Sequence, residues 1–128
     1  MPAENTTSRV GAAAEAQALK YLKKKGLTYV EKNFRIKQGE LDLIMMDSGT
    51  LVFVEVRYRK STKYGTPEET VNNRKQQKLL IAANTYLQAK GIADRYPCRF
   101  DVVAITQQDD PKDRTLKVNW HKDAFSAF

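Results

Sequence analysis

One stretch of this chain decides its fold: GELDLIMMDSGTLVFVEVRYR, residues 39–59. It contains two apolar runs, Leu41–Met46 and Leu51–Tyr58, and the polar segment Asp47–Thr50 separates them. Apolar runs of this length, joined by a short segment with glycine, predict a β-hairpin with a tight turn.

The register of this hairpin determines which side chains face each other. A loop symmetric about Ser48-Gly49 places Asp42 opposite Glu55, where Cβ atoms lie about 5 Å apart. Two like charges at that distance are destabilising unless a proton or a cation lies between them. We therefore expect a divalent-metal site at Asp42 and Glu55, with Arg57 on the same face.

Two alternatives stay open. A three-residue loop would place Val54 opposite Asp42 and turn Glu55 to the other face. The symmetric register also places Glu40 opposite Arg57. The polar residues could then form an ion-pair network whose role is only to hold the sheet together. The symmetric loop is favoured because it also sorts the apolar residues by face. One side then has Leu43, Met45, Val52, Val54 and Val56, and the other has Ile44 and Phe53.

The charge of the chain is unbalanced towards basic residues. The sequence of 128 residues has 22 Lys and Arg against 15 Asp and Glu, a formal net charge of +7. Much of the excess lies between residues 57 and 78. Arg59, Lys60, Lys63 and Tyr64 combine cations with an aromatic ring, which is typical of contacts to phosphates and bases. A solvated basic loop that binds nothing is the alternative interpretation.

The length of the chain predicts one domain over residues 1–128, large enough for a core without disulfides. The lone Cys98 cannot form an internal disulfide, and no apolar run reaches the roughly 20 residues that cross a bilayer. We expect a soluble cytoplasmic protein without a membrane partner. The oligomeric state stays open, a homodimer included.

The remaining segments predict helices around a mixed sheet, an α/β fold. A helix is expected over Ser8–Lys25, capped near Thr7 or Ser8, and a first strand over Val30–Lys37. The segment Thr66–Glu69 has the residues of a capping box and predicts a second helix to about Lys90. The predicted elements that follow are strands over Cys98–Ile105 and Val118–His121, and a short helix over Asp123–Phe125. A long crossover helix usually returns the next strand parallel to its neighbour.

Each predicted helix carries one charged residue on its apolar face. Glu15 lies among alanines and leucines on the first helix, so it must be paired, protonated or bound to a metal. Lys75 lies on the inner face of the second helix, where it either extends to solvent or reaches the acidic site. Arg74 and Lys78, on the more exposed side with Gln76, are weaker candidates for substrate contacts.

Several motifs resemble the YraN family of small bacterial proteins. They are GELDLI (39–44), VFVEVRYR (52–59), GAAAEA (11–16), CRFDVV (98–103), DAF (123–125), and Lys75 with Lys78. The similarity covers almost the whole chain. The family is similar in turn to the PD-(D/E)xK nucleases, which have the restriction-endonuclease fold and include archaeal Holliday-junction resolvases.

The resemblance implies specific roles. Asp42 and Glu55 would bind the metal, Glu15 would match the helix glutamate of resolvase-like members, and Arg57 occupies the position of the superfamily lysine. Arginine can grip a phosphate but cannot act as a general base. An all-oxygen site favours Mg²⁺ or Mn²⁺. The single His121 excludes a histidine metal cage.

These observations lead to three functional hypotheses. The first is a metal-dependent endonuclease acting on nucleic acid, DNA rather than RNA, with a branched or otherwise unusual structure. Its catalytic residues would be Asp42, Glu55, Arg57, Glu15 and Lys75. The second is a non-catalytic nucleic-acid-binding protein that kept the nuclease fold, supported by the arginine at position 57. The third is a structural adaptor.

Overall fold

The structure is a computed structural model that describes residues 2–59, 72–107 and 116–126, with backbone only for residues 2–10. The chain has two helices and five strands in the described residues: one helix and three strands, then a second helix and two strands. They are α1 (Pro2–Lys24), β1 (Thr28–Ile36), β2 (Gly39–Asp47), β3 (Thr50–Arg59), α2 (Asn73–Ala89), β4 (Cys98–Gln107) and β5 (Leu116–Phe125).

The five strands form one mixed sheet in the order β1-β2-β3-β4-β5. The first three strands are antiparallel to one another, and β4 runs parallel to β3 after the α2 crossover. The last strand, β5, pairs with β4 in the antiparallel direction. The predicted α/β mixed sheet is thus confirmed, and its topology is consistent with a restriction-endonuclease-like fold.

The β2–β3 turn has the symmetric two-residue loop. Asp47 pairs with Thr50, and both residues between them have positive φ, 48° for Ser48 and 90° for Gly49. Positive φ at both central positions defines the type I′ turn, whose twist matches that of the strands. The register continues to Leu43–Val54, so the three-residue alternative is wrong.

The two helices cover opposite faces of the sheet, and each face has its own apolar cluster. The α1 cluster includes Ala14, Ala18, Leu22, Leu43, Met45, Val52 and Val54, with Val56 packed against it. The α2 cluster includes Ile44, Phe53, Leu79, Ala82, Ala83 and Tyr86. The predicted division of the hairpin residues between the two faces is therefore confirmed.

Packing between α2 and the start of β2 is unusually close. A Cβ at Gly39 would lie 2.9 Å from the carbonyl oxygen of Lys78, a distance that side-chain carbons do not adopt. The missing side chain thus lets the backbone of α2 approach β2. This contact sets the position of the first turns of α2, where Lys75 lies.

Two predicted helix starts are wrong. Helix α1 extends back to Pro2, because proline is well accommodated in a first helical turn and the Thr7–Ser8 positions are not needed as caps. Helix α2 begins at Asn73, since Asn72 is extended and its side chain accepts a hydrogen bond from the N–H of Lys75. The segment Thr66–Glu69 lies outside the described residues.

The expected closing helix at the C-terminal end is also wrong, because Asp123–Phe125 belongs to β5. The pairing shifts between Phe100 and Val102, where Asp123 has a φ of 51° and its N–H donates to Asp101. This irregularity lets the strand continue to Phe125, whose ring stacks on Phe100 at 4.8 Å. Within the described ranges, no helix has the length and apolarity that crossing a bilayer requires.

Candidate metal and phosphate site

The site begins where β2 separates from β3. The paired register ends at Leu43–Val54, and the backbone N–H of Val56 donates to Oδ2 of Asp42 at 2.9 Å. Antiparallel pairing would otherwise offer this N–H a carbonyl of β2. The Asp42 side chain thus takes the place of the backbone at the point where the strands part.

Glu55 lies on β3 beside Asp42, and Glu55 is only 6% exposed. Two cations approach the same oxygen: Lys75 Nζ and Arg57 Nε each lie 3.6 Å from Oε1. With both carboxyl groups ionised, the other oxygen, Oε2, is a buried atom without a hydrogen-bond donor. A buried carboxylate oxygen in this state is costly, so the arrangement calls for a proton or a cation.

The electrostatics of the pair agree with its geometry. Burial and, next, the charge of Asp42 raise the pKa of Glu55 from 4.5 to about 7, against the opposing effects of Lys75 and Arg57. Burial likewise raises the pKa of Asp42, although the hydrogen bond from Val56 opposes this. A hydrogen bond links the two carboxyl groups, so without a cation they share a proton near neutral pH.

A second set of carboxylates meets Asp42 from the other side. Glu15 on α1, Glu40 on β2 and Asp42 bring ligand oxygens within 4.8 Å of one another. Burial first, and then the charges of Asp42 and Glu40, raise the pKa of Glu15 to about 6. Asp42 thus lies between two acidic neighbourhoods, one containing Glu55 and the other containing Glu15 and Glu40.

Glu40 is the member that the sequence interpretation did not assign to the site. The ion pair that the structure gives Glu40 is with Arg35 on β1, at 3.3 Å, whereas Arg57 pairs with Glu55. The expected ion pair between Glu40 and Arg57 is therefore replaced by two others. Glu40 pairs with Arg35 of β1, and Arg57 pairs with Glu55 within β3. Alternation along the strand, which puts Glu40 and Asp42 on one face, was the signal for its inclusion.

The structure brings together five of the predicted residues: Asp42, Glu55, Glu15, Arg57 and Lys75. The cations predicted to contact nucleic acid are more scattered. Arg59 is half-buried on β3, two residues beyond Arg57, while Arg74 and Lys78 are exposed on α2. Lys60, Lys63 and Tyr64 lie outside the described residues.

The donor set fits a hard divalent cation. All candidate ligand atoms are carboxylate oxygens, the type that Mg²⁺ and Mn²⁺ prefer, and one of them lacks any donor. Arg57 and Lys75 stand beside the acidic pair, and such cations can receive a phosphate. The arrangement can therefore hold a cation and a phosphate next to each other.

Comparison with known proteins gives the family of the chain. Residues 14–105 match the profile described as "Uncharacterised protein family UPF0102". A UPF0102 protein of Stutzerimonas stutzeri (strain A1501) is 50% identical over 117 residues, covering 91% of this chain and 94% of that protein. A UPF0102 protein of Pseudomonas putida (strain KT2440) is 46% identical over 127 residues, covering 99% of this chain and all of that protein. The chain therefore belongs to the UPF0102 family, the family that its YraN-like motifs indicate.

Proposed function

We propose that this protein is a metal-dependent endonuclease that hydrolyses phosphodiester bonds in nucleic acid, with structured or branched DNA as substrate. One observation carries the proposal. The half-buried carboxyl group of Asp42 and the buried one of Glu55 face each other, and with both ionised, Oε2 of Glu55 is a buried acceptor without a donor. Structural ion-pair networks usually balance their charges, whereas the ion pairs of the described residues here include Glu40 and Glu55 but neither Asp42 nor Glu15.

The residues that would hold the cation are Asp42, Glu55 and Glu15, with Glu40 within reach of Asp42 and Glu15. Mg²⁺ or Mn²⁺, when bound, supplies a Lewis acid and lowers the pKa of a coordinated water. The chain itself fixes Asp42 through the N–H of Val56, which orients one carboxylate oxygen before any ligand arrives.

Arg57 and Lys75 would hold the scissile phosphate. Both lie 3.6 Å from Glu55 Oε1, so a phosphate beside the carboxylates would meet a guanidinium and an ammonium together. Such fixed cations stabilise the negative charge that develops during hydrolysis. The ammonium of Lys75 would perform on α2 the electrostatic role that the superfamily lysine performs on the strand. Arg57 does not act as a general base, and Lys75 would do so only as a neutral amine, so with Lys75 as an ammonium, water organised by the carboxylates would take the proton.

The test is a panel of labelled substrates, namely duplex, single-stranded and branched DNA with matching RNA, incubated with Mg²⁺ or Mn²⁺. We expect cleavage of at least one structured substrate, and loss of cleavage by about 100-fold or more in Asp42→Asn and Glu55→Gln. Asp94→Asn is a matched control because Asp94 is an exposed carboxylate in the segment between α2 and β4. Cleavage by the two site variants at the wild-type rate would refute the proposal.

A second candidate function is a nucleic-acid-binding protein without catalysis. The arginine at position 57, beside Glu55, is the specific observation that favours it. This function predicts salt-sensitive binding that survives EDTA and both carboxylate substitutions, without turnover on any substrate. The same panel separates the two functions when binding and cleavage are both recorded.

A further inference from the structure

A groove lies between α1 and β1 on the sheet face opposite α2. It encloses about 320 Å³, which is at the small end of the usual size range for ligand pockets, roughly 300–1,000 Å³. One wall is a face of α1. It includes Glu15, Leu19 and Lys23, which are four positions apart, with Lys20 beside them. The other wall includes Lys32 on β1.

The groove has an apolar floor and basic rims. Ala12, Ala16 and Leu19 provide the apolar surface, and Leu43, which is fully buried in the α1 cluster, lies beneath them. Lys20, Lys23 and Lys32 provide the three positive charges at its walls. Apolar surface beside fixed cations suits a ligand that combines a ring with a phosphate.

The lysines of this groove differ from the four described cations that form ion pairs with glutamates. Arg35, Arg57, Lys75 and Lys90 all take part in ion pairs with glutamates. Within the ranges that the structure describes, no ion pair includes any of the three groove lysines. Three lysines against one lining carboxylate, Glu15, leave the groove with an excess of positive charge, which favours an anionic ligand.

Glu15 connects this groove to the carboxylate cluster. It lines the groove, and its carboxylate lies within 4.8 Å of those of Glu40 and Asp42. A chain of phosphates that follows the lysines along α1 would therefore lead to the acidic site. The phosphate-holding pair, Arg57 and Lys75, lies on the α2 side of the same point.

We propose that this groove binds one nucleotide of a single-stranded arm of the nucleic acid, with its phosphates at Lys20, Lys23 and Lys32. The inference rests on the proposed function, since it takes nucleic acid as the ligand. At about 320 Å³ the groove is sized for one nucleotide of a single strand and not for a duplex, whose minor and major grooves alone are about 6 and 12 Å wide. The protein would thus prefer substrates in which a single strand leaves a duplex, and the α1–β1 groove would be the origin of that preference.

Fluorescence anisotropy in EDTA tests the inference, because binding is then measured without cleavage. The probes are a blunt duplex and the same duplex with a thymidine arm of about ten nucleotides. We expect wild-type protein to bind the armed duplex about tenfold more tightly, and Lys20→Ala/Lys32→Ala to lose most of this difference. Both lysines are exposed, so the variant should fold.

The matched control is Lys24→Ala/Lys37→Ala, which removes one lysine from α1 and one just after β1 without touching the groove. It should keep the preference for the armed duplex. Equal preference in the two double variants, or no preference in the wild type, would overturn the inference.

The position of the bound strand and the cleavage of substrates can be measured separately. On titration with a short thymidine oligonucleotide, the methyl NMR signals of Ala16 and Leu19 should shift. Those of Ala82 and Ala83, on the buried face of α2, should not. Shifts confined to α2 would overturn the inference. If the arm preference depends on Lys20 and Lys32 but no substrate is ever cleaved, the groove stands and the proposed nuclease function fails.

Discussion

The backbone N–H of Val56 donates a hydrogen bond of 2.9 Å to Oδ2 of Asp42. A side chain of β2 thus accepts from β3 at the rung where the two strands cease to pair. This contact holds one oxygen of Asp42 and leaves the other for Glu55 or for a cation. It also marks the opening through which Glu15 of α1 approaches residues that line the other face of the sheet.

We predict that Asp42→Asn and Glu55→Gln each weaken Mn²⁺ binding by at least tenfold, because each removes a charged oxygen ligand. Asparagine keeps an oxygen that can accept from Val56, so the fold should survive. Isothermal titration calorimetry measures the affinity, with Asp94→Asn as the control. Unchanged Mn²⁺ affinity in both site variants would contradict the assignment of the metal ligands.

Glu15 and Glu40 compete for the role of third ligand, and their surroundings predict the result. Glu40 forms an ion pair with Arg35 at 3.3 Å, whereas burial and Asp42 raise the pKa of Glu15 to about 6. We expect Glu15→Gln to lower Mn²⁺ affinity by about tenfold and Glu40→Gln to lower it by less. The same calorimetry ranks the two variants. A larger loss in Glu40→Gln would transfer the role to Glu40.

The pH dependence of stability should report the buried Glu55. Its pKa of about 7 in the folded protein exceeds the ordinary 4.5, so between these values the folded protein binds more protons than the unfolded chain. The free energy of unfolding in EDTA must therefore fall as pH rises from 5 towards 8.

Glu55→Gln removes this contribution. We expect the variant to be more stable than wild type at about pH 8 by on the order of 1–2 kcal/mol, with a smaller or reversed difference near pH 5. Urea denaturation at both pH values measures the two differences. A wild-type protein that gains stability relative to the variant as pH rises would show that Glu55 is ionised without strain.

Lys75 and Arg57 offer a test of the two-cation arrangement. Lys75→Met should lower the cleavage rate by about 10–100-fold, since it removes a cation that would face the phosphate. Arg57→Lys should retain most of the activity, because it keeps a positive charge beside Glu55, while Arg57→Met should lose it. The measurement is the single-turnover rate on a cleaved substrate, and Arg95→Met serves as an exposed control.

Two other results for these variants would change the roles assigned to Arg57 and Lys75. If Arg57→Lys raises the cleavage rate by tenfold or more, the superfamily lysine does something that a guanidinium cannot do. If Lys75→Met cleaves at the wild-type rate, α2 does not supply the ammonium, and Arg57 alone holds the phosphate.

Asp101 should be essential for stability rather than for activity. Its fully buried carboxylate accepts hydrogen bonds from Arg99, from the Trp120 indole N–H and from the N–H of Asp123. Asp101→Asn replaces one acceptor oxygen by a donor group and removes the charge beside Arg99. We expect a loss of about 3 kcal/mol in the free energy of unfolding.

Urea denaturation measures this loss, and Asp94→Asn is again the control, since Asp94 is exposed and asparagine tolerates its φ of 65°. The control should change stability by less than about 0.5 kcal/mol. A loss below about 1 kcal/mol in Asp101→Asn would mean that the cluster around Arg99 is not important for stability.

The hairpin shows how far local pattern determines structure. Alternating apolar residues and a Ser-Gly turn predicted both the register and the face of every residue from Leu43 to Val54, and the structure confirms them. A strand has a period of two, so one correct turn assigns all its side chains. Helix boundaries were less predictable, because helix α2 begins at Asn73 after the extended Asn72, and the Asp123–Phe125 segment joins β5.

The sequence by itself predicted the mixed sheet, from the length of the crossover helix, and the hairpin register that brings Asp42 near Glu55, from short-range alternation and turn chemistry. Only the tertiary structure decided that Glu15 and Lys75 reach that pair, that Glu40 joins the carboxylates, and that a lysine-lined groove leads to them. These relationships depend on how two helices pack on opposite faces of the sheet and on where β2 separates from β3. The pKa of a carboxyl group likewise depends on the solvent that all surrounding elements exclude together, which no local segment of sequence records.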